Sequence, residues 1–309
     1  MNGTPRGAYL YETCSLLVYW IQNNQSELRQ EGGREMAFFE TIDGMNLFYV
    51  DKGKGQPIVL VHGWSGDHTT FAEPIESLSN DFRVVAYDLR GHGQSDRTDQ
   101  GLTLRRFAQD LEELMQHLGL SGVTLAGHSM GASTGFEYIR NHGTDRLRSF
   151  TIFDMTPKLV NEEGWNLGLW HGEYTRPDAD RDLTQMYEEF EGFSRTFMKR
   201  TVPYLSETEL EEMLKLSASN SPHVLAAMWH AMVTADYRDM LAGITVPAQI
   251  VYGDKSTLYS KETAAYLNGQ IPDSKVIAFE NCTHMLTAEN PDRVEEVIRQ
   301  AAGTPASKA

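Results

Sequence analysis

The chain has 309 residues, with 43 Asp and Glu against 27 Lys and Arg, a formal charge of −16. That balance excludes a protein built to hold a phosphate backbone, whose footprint is a basic patch. With 40% apolar and 23% charged residues, the composition is that of a folded chain of one large or two small domains, not of the low-hydrophobicity disordered class.

Residues 1–35 read differently from the rest of the chain. Residues 2–7 are irregular, 16–20 are compatible with a short helix, and 25–35 are polar with a break at Gly32-Gly33. The apolar run 16–21 has six residues against the roughly 20 of a spanning helix, so no membrane span is expected. Glu12 before that run, and no small-residue cleavage site after it, speak against a secretory signal. Glu31-Gly32-Gly33 just ahead of Met36 can be encoded by a purine-rich stretch resembling a ribosome-binding site. Met36 is therefore the expected natural start and 1–35 an extension, with a docked N-terminal helix as the alternative. Cys14 and Cys282 are too far apart in sequence to suggest a disulfide framework or a thiolate metal site, which points to a reducing, cytoplasmic setting.

From residue 37 onward, short β-branched apolar runs alternate with helical stretches, the pattern of a mostly parallel sheet covered on both faces. Residues 37–41 and 47–50, joined through Asp43-Gly44, predict an antiparallel hairpin. Buried strands are expected at 58–61, 83–87, 123–126, 150–153, 249–252 and 275–279. Phe107, Leu111, Leu114, Met115 and Leu118 recur at helical spacing and Gly119 follows them, so 104–118 reads as a crossover helix. Residues 157–245 break the alternation: 183–198 and 207–216 are helical, the latter behind a Ser206/Glu209 capping signal, and no strand is evident. The predicted organisation is a core of 36–156 and 246–309 with a helical cap at 157–245, placed over the edge where parallel sheets bind ligands.

Gly127-His128-Ser129-Met130-Gly131 directly follows one of these strands and precedes a small-residue helix start. Gly-x-Ser-x-Gly needs its glycines because the serine occupies a strained strand-to-helix turn that pushes Oγ outward. The helix beginning there aims free N–H groups at the same point, where they stabilise negative charge. His284, just after the last strand, is the expected base, since a histidine with an ordinary pKa near 6.5 can take the serine proton and return it to a leaving group. His62 reads as a structural hydrogen-bonding residue, and His92, His117 and His142 as loop or surface residues. His171, His223 and His230 lie in the insertion and at most line a pocket.

Val61-His62-Gly63-Trp64, Tyr87 to Ser95 (YDLRGHGQS), Ala126 to Gly131 (AGHSMG) and Cys282-Thr283-His284 together resemble the α/β-hydrolase fold superfamily from residue 36 to the end, in its serine esterase and lipase-like branch. The resemblance implies an α/β fold with a mostly parallel central sheet, Ser129 as nucleophile, and oxyanion donors from the amides of Trp64 and Met130. It reads the Asp88–Ser95 motif as a structural turn. The Trp64 side chain is then either a pocket wall or core. For the acid, members commonly carry Asp in a Gly-x-x-Asp after the strand at 249–252. Here Ser256 stands at that position and Asp254 two residues early. Other members place the acid at the end of the preceding strand, where this chain has Asp154. Asp154 is therefore the expected acid, with Asp254 as the alternative and a turn-capping role for Asp154 as the third possibility. A serine at the elbow argues against the dehalogenases and epoxide hydrolases of this fold, which place Asp there.

No metal-binding, phosphate-loop or dinucleotide motif occurs, so no cofactor is expected. The expected activity is hydrolysis of a small-molecule carboxylic ester or lactone. A carbon–carbon bond hydrolase of ring-cleavage products, which needs cap cations for a carboxylate, and a ligand-binding receptor on the same fold are the alternatives. Nucleic-acid partners are not expected, and oligomeric state is not readable. The insertion carries Trp165, Trp170, Tyr174, Tyr187, Phe190, Phe193, Phe197, Tyr204, Trp229 and Tyr237, available for an apolar acyl pocket. It also carries much of the negative charge: residues 173–191 hold seven acids and two arginines, the composition of a solvated helix face.

Overall fold

Alternation of side chains across each short apolar run builds an eight-stranded sheet in the computed structural model, which describes residues 35–303 apart from Ser219. The expectations for residues 1–34 lie outside the described residues. In chain order the elements are β1 (Glu35–Glu40), β2 (Asn46–Gly53), β3 (Pro57–Val61), α1 (Ala72–Leu78), β4 (Arg83–Tyr87), α2 (Leu104–His117), β5 (Val123–His128), α3 (Met130–His142) and β6 (Leu147–Phe153). Four helices follow before the next strand: α4 (Arg176–Glu188), α5 (Phe190–Thr201), α6 (Glu207–Ser217) and α7 (Pro222–Thr234). The chain then returns through β7 (Ala248–Gly253), α8 (Lys261–Gln270), β8 (Ser274–Phe279), α9 (Leu286–Glu289) and α10 (Pro291–Ala302). Among the described residues, no helix is long and apolar enough to cross a membrane.

The strand order is β1-β2-β4-β3-β5-β6-β7-β8, with β1/β2 and β2/β4 antiparallel and the rest parallel. Ile58 and Leu60 face one layer, with Phe71 and Ile75 from the α1 side and Val294, Val297 and Ile298 from α10. Val59 and Val61 face the other, with Phe107 and Leu111 of α2 and Phe136 of α3. All six residues of β5 are buried, so this strand carries the serine turn out of the middle of the sheet.

Two insertion helices differ from expectation. The helical stretch at 183–198 is split, because Glu189 leaves helical geometry (φ −153°, ψ 71°) and its side chain caps a new helix by accepting from the Gly192 amide. Helix α6 starts as read, with the Ser206 amide donating to Glu209 at 2.8 Å and the Glu209 amide to Ser206 Oγ at 3.3 Å.

The turn after β4 is a buried polar wedge. Asp88 accepts from the His68 amide and from His68 Nδ1, each at 2.7 Å, and from the Gln94 amide at 2.8 Å. The Leu89 amide donates to His62 Nε2 at 3.0 Å, which gives His62 the structural role expected of it. Arg90, fully buried, donates two hydrogen bonds each to Asp110 and Asp43, the fork geometry that satisfies a buried guanidinium. His92 lies in a loop, as read, but is fully buried there and not on the surface. Its Nε2 accepts from the Ser65 amide at 3.2 Å, because the glycine-rich turn folds under the 62–68 loop instead of out to solvent.

The serine turn fits only because of its glycines. A Cβ on Gly127 would lie 2.4 Å from the Gly131 carbonyl carbon, and one on Gly131 would lie 2.1 Å from the Val61 carbonyl oxygen. Both obstacles are backbone and cannot rotate away. Gly131→Ala is therefore expected to destabilise the fold by about 2–3 kcal/mol through overpacking, read as a lowered Tm. A melt unchanged from the parent would show that α3 can move off β3.

Candidate functional site

Strained backbone gathers at one end of the sheet. Six described non-glycine residues have positive φ, and four of them, Ser65, Ser129, Asp154 and Asn281, lie just past β3, β5, β6 and β8. Such conformations cost of order 1–3 kcal/mol each and persist where surrounding structure over-determines them. Ser129 (φ 54°, ψ −120°) is held by its amide donating to the Phe153 carbonyl at 2.9 Å.

His284 and Asp154 meet here. Nδ1 of His284 donates to Asp154 Oδ2 at 2.7 Å, with Asp154 1% and His284 6% exposed. The same oxygen accepts from Ser256 Oγ at 2.7 Å. Asp254 is elsewhere: its side chain is on the surface beside Lys255, with Nζ at 3.5 Å. The structure thus brings Asp154 and not Asp254 to His284. The Ser256 contact had no signal in the sequence beyond its place where relatives of this design carry an acid.

The imidazole of His284 lies between two rings, His128 with centroids 4.8 Å apart and Tyr259 at 5.9 Å. His128 Nε2 donates to the His284 carbonyl oxygen at 2.9 Å. Burial, and then the neighbouring His284 charge, push the His128 pKa down to about 3, so it stays neutral and does not compete as a base. Burial, and then the Asp154 charge, raise the Tyr259 phenol far above its ordinary value. Behind His284, the Glu289 carboxylate accepts from the Thr283 amide at 2.6 Å, from Thr283 Oγ1 at 2.7 Å and from the Tyr204 hydroxyl. This half-buried clamp ties the histidine loop to the insertion, and sequence reading missed it.

Ser129 and His284 line one cavity of roughly 200 Å³, together with Gly63, Trp64, Met285 and residues of the insertion. Met130 is the first residue of α3, so its amide is among those a helix start leaves without an intrahelical partner. Gly63 brings the 63–66 loop against Ser129, since a Cβ there would lie 3.2 Å from Ser129 Cβ. The Trp64 side chain serves both of its expected uses. It lines the cavity, and it packs on Trp229 and Phe197 while Nε1 donates to the Leu225 carbonyl at 2.9 Å. Of the insertion aromatics, Phe197 and Trp229 reach the cavity, joined by Met198, Met213 and Met232. His171 does not line it; its Nε2 donates to the Ser256 carbonyl at 2.8 Å.

A profile of the alpha/beta hydrolase fold family matches residues 56–291. The chain is 28% identical over 271 residues to the AB hydrolase superfamily protein YisY of Bacillus subtilis (strain 168), covering 85% of this chain and 97% of that protein. It is 25% identical over 253 residues to the non-heme chloroperoxidase CPO-A1 of Kitasatospora aureofaciens, covering 81% and 92%. Among solved structures, the esterase EaEST of Exiguobacterium antarcticum superposes with a TM-score of 0.79 at 26% identity, covering 86% of this chain and 99% of that one.

The buried histidines set a pH dependence of stability. His92, like His128, is pushed down to about 3, by burial first and then by the charge of His62. In the unfolded chain both take up protons near pH 6.5, so their contribution is complete above that pH and is lost as pH falls toward 3. The urea midpoint is expected to drop across this window, and His128→Gln to flatten the drop. Equal slopes in parent and variant would refute the assignment.

Proposed function

The chain belongs to the alpha/beta hydrolase fold family, and from that premise we propose that it is a serine hydrolase that cleaves a carboxylic ester or lactone through an acyl-enzyme. The observation that carries this reading is the buried Asp154–His284 hydrogen bond at a cavity that Ser129 also lines. Ser129 Oγ attacks the carbonyl carbon while His284 takes its proton, and Asp154 holds the imidazole and stabilises its cation. The amides of Trp64 and Met130 bind the oxyanion. His284 then protonates the leaving alcohol, and water repeats the sequence to free the acid.

The helical insertion, residues 157–245, acts as the lid that closes the acyl pocket. Leu159, Leu169, Phe197, Met198, Met213, Trp229 and Met232 support that role by lining the cavity. Among its described lining residues none is Lys or Arg, and Asp67 carries the formal negative charge. An uncharged acyl group fits such a wall, whereas a carboxylate would be desolvated without a counter-ion. This favours neutral esters and lactones over the carboxylate-bearing substrates of carbon–carbon bond hydrolases. Similarity to the bifunctional esterase/perhydrolase DCH of Acinetobacter calcoaceticus, 24% identical over 276 residues, favours one second reading, in which hydrogen peroxide replaces water as acyl acceptor at the same serine.

Ser129→Ala is expected to abolish turnover of p-nitrophenyl esters and labelling by a fluorophosphonate. Labelling without turnover in the parent would support a receptor instead. Asp154→Asn should lower kcat by roughly 10⁴, while Asp254→Asn leaves it near the parent value. A collapse caused by Asp254→Asn alone would reverse the acid assignment. Neutral acyl esters should be cleaved at least tenfold faster, in kcat/KM, than equally long esters ending in a carboxylate, on the order of the cost of one unpaired charge-bearing group. Peracid formation from acetate and peroxide would support the second reading.

A further inference from the structure

We infer that Ser256 is a positioning residue for the acid, its hydroxyl fixing the Asp154 carboxylate in the orientation that His284 uses. The inference rests on the proposed triad and adds a fourth member to it.

Ser256 is 5% exposed, and the direction of its hydroxyl is determined by its neighbours. The amides of Leu258 and Tyr259 approach Oγ at 3.3 and 3.4 Å as donors. A serine hydroxyl has one proton and two lone pairs, so with donors on its acceptor side the proton is left for Asp154 Oδ2 at 2.7 Å. That oxygen is also the acceptor for His284 Nδ1. The other carboxylate oxygen, Oδ1, is buried with no partner among the described residues. Both hydrogen bonds that orient the carboxylate therefore fall on one atom. With Ser256 removed, a single donor remains and the group is free to rotate about its Cβ–Cγ bond.

Ser256 is itself held from both sides. Its amide donates to the Gly253 carbonyl at 3.0 Å, at the end of β7. Its carbonyl accepts from His171 Nε2 at 2.8 Å, and the His171 amide donates to the Leu258 carbonyl at 3.2 Å. His171 makes both contacts from a positive-φ turn (φ 53°) in the insertion. The acid is thus braced by the strand loop where the sequence carries serine in place of a second carboxylate.

The test compares Ser256→Ala and Ser256→Thr in the parent and in an Asp154→Asn background, with kcat, KM and Tm measured for each. Ser256→Ala is expected to lower kcat about tenfold, the loss of one good hydrogen bond, with KM unchanged. Ser256→Thr, which keeps the hydroxyl, should restore kcat. In the Asp154→Asn background the alanine substitution should cost less than twofold, because there is no carboxylate left to orient. The same loss in both backgrounds, or no rescue by Ser256→Thr, would overturn the inference and leave Ser256 as a turn residue. Full activity of Asp154→Asn alone would instead overturn the triad reading beneath it. If Ser256→Ala does not fold, Ser256→Cys, of similar shape but a weak donor, carries the same comparison.

Discussion

A buried carboxylate must be answered by donors, and in this fold the answer to Asp154 organises three strands. Its partners lie 102 and 130 residues further along the chain, so they reach it only if β6, β7 and β8 end at matching heights. The register does this: Phe153 pairs with Val251 and Val251 with Ile277, while the Asp154 amide donates to the Val251 carbonyl. Everything between residues 153 and 248 must then leave the sheet and return to the adjacent strand. The four-helix insertion is compatible with the site because both its ends are tied to neighbouring strands.

Local patterns made much of this legible. The strands, the serine turn and the histidine after the last strand are written in contiguous residues, and the capping pair Ser206/Glu209 behaves as its spacing suggests. What depended on distant contacts was not. Asp154 was preferred to Asp254 on resemblance alone; the contacts that separate them are those of the fold, one hydrogen-bonded to His284 Nδ1 and the other on the surface beside Lys255. Ser256, Glu289 and Tyr204 carry no local mark of their contacts, since serine and tyrosine hydroxyls are common in loops. The burial of His92 was not legible, because nothing local in the glycine-rich turn shows that it packs beneath the loop that holds Trp64. The helical stretch at 183–198 failed at Glu189, where side-chain capping of the Gly192 amide outweighs continuation of the periodic pattern.

The distribution of strain follows the same logic. Four of the six described positive-φ side-chain-bearing residues sit just past strand ends, Ser65 and Ser129 among them lining the cavity, and the other two, Trp170 and His171, form the turn that reaches the Ser256 carbonyl. Backbone of this kind needs a dense surround, and the core supplies one in the all-buried β5 and in the glycines that let α3 approach β3. The insertion is anchored to the body through His171, through Tyr204 on Glu289 and through Trp64 on Leu225, three contacts that each end on a residue at or next to the cavity.

The cavity wall contains four methionines, Met198, Met213, Met232 and Met285. Thioether side chains are unbranched and polarizable, so they repack around guests of different outline more readily than leucine or isoleucine does. The same sulfur atoms are open to oxidation, and each sulfoxide would set a polar, chiral group into an apolar wall. Tolerance for guests of varied shape and sensitivity to oxidants are therefore two faces of a single choice of side chain.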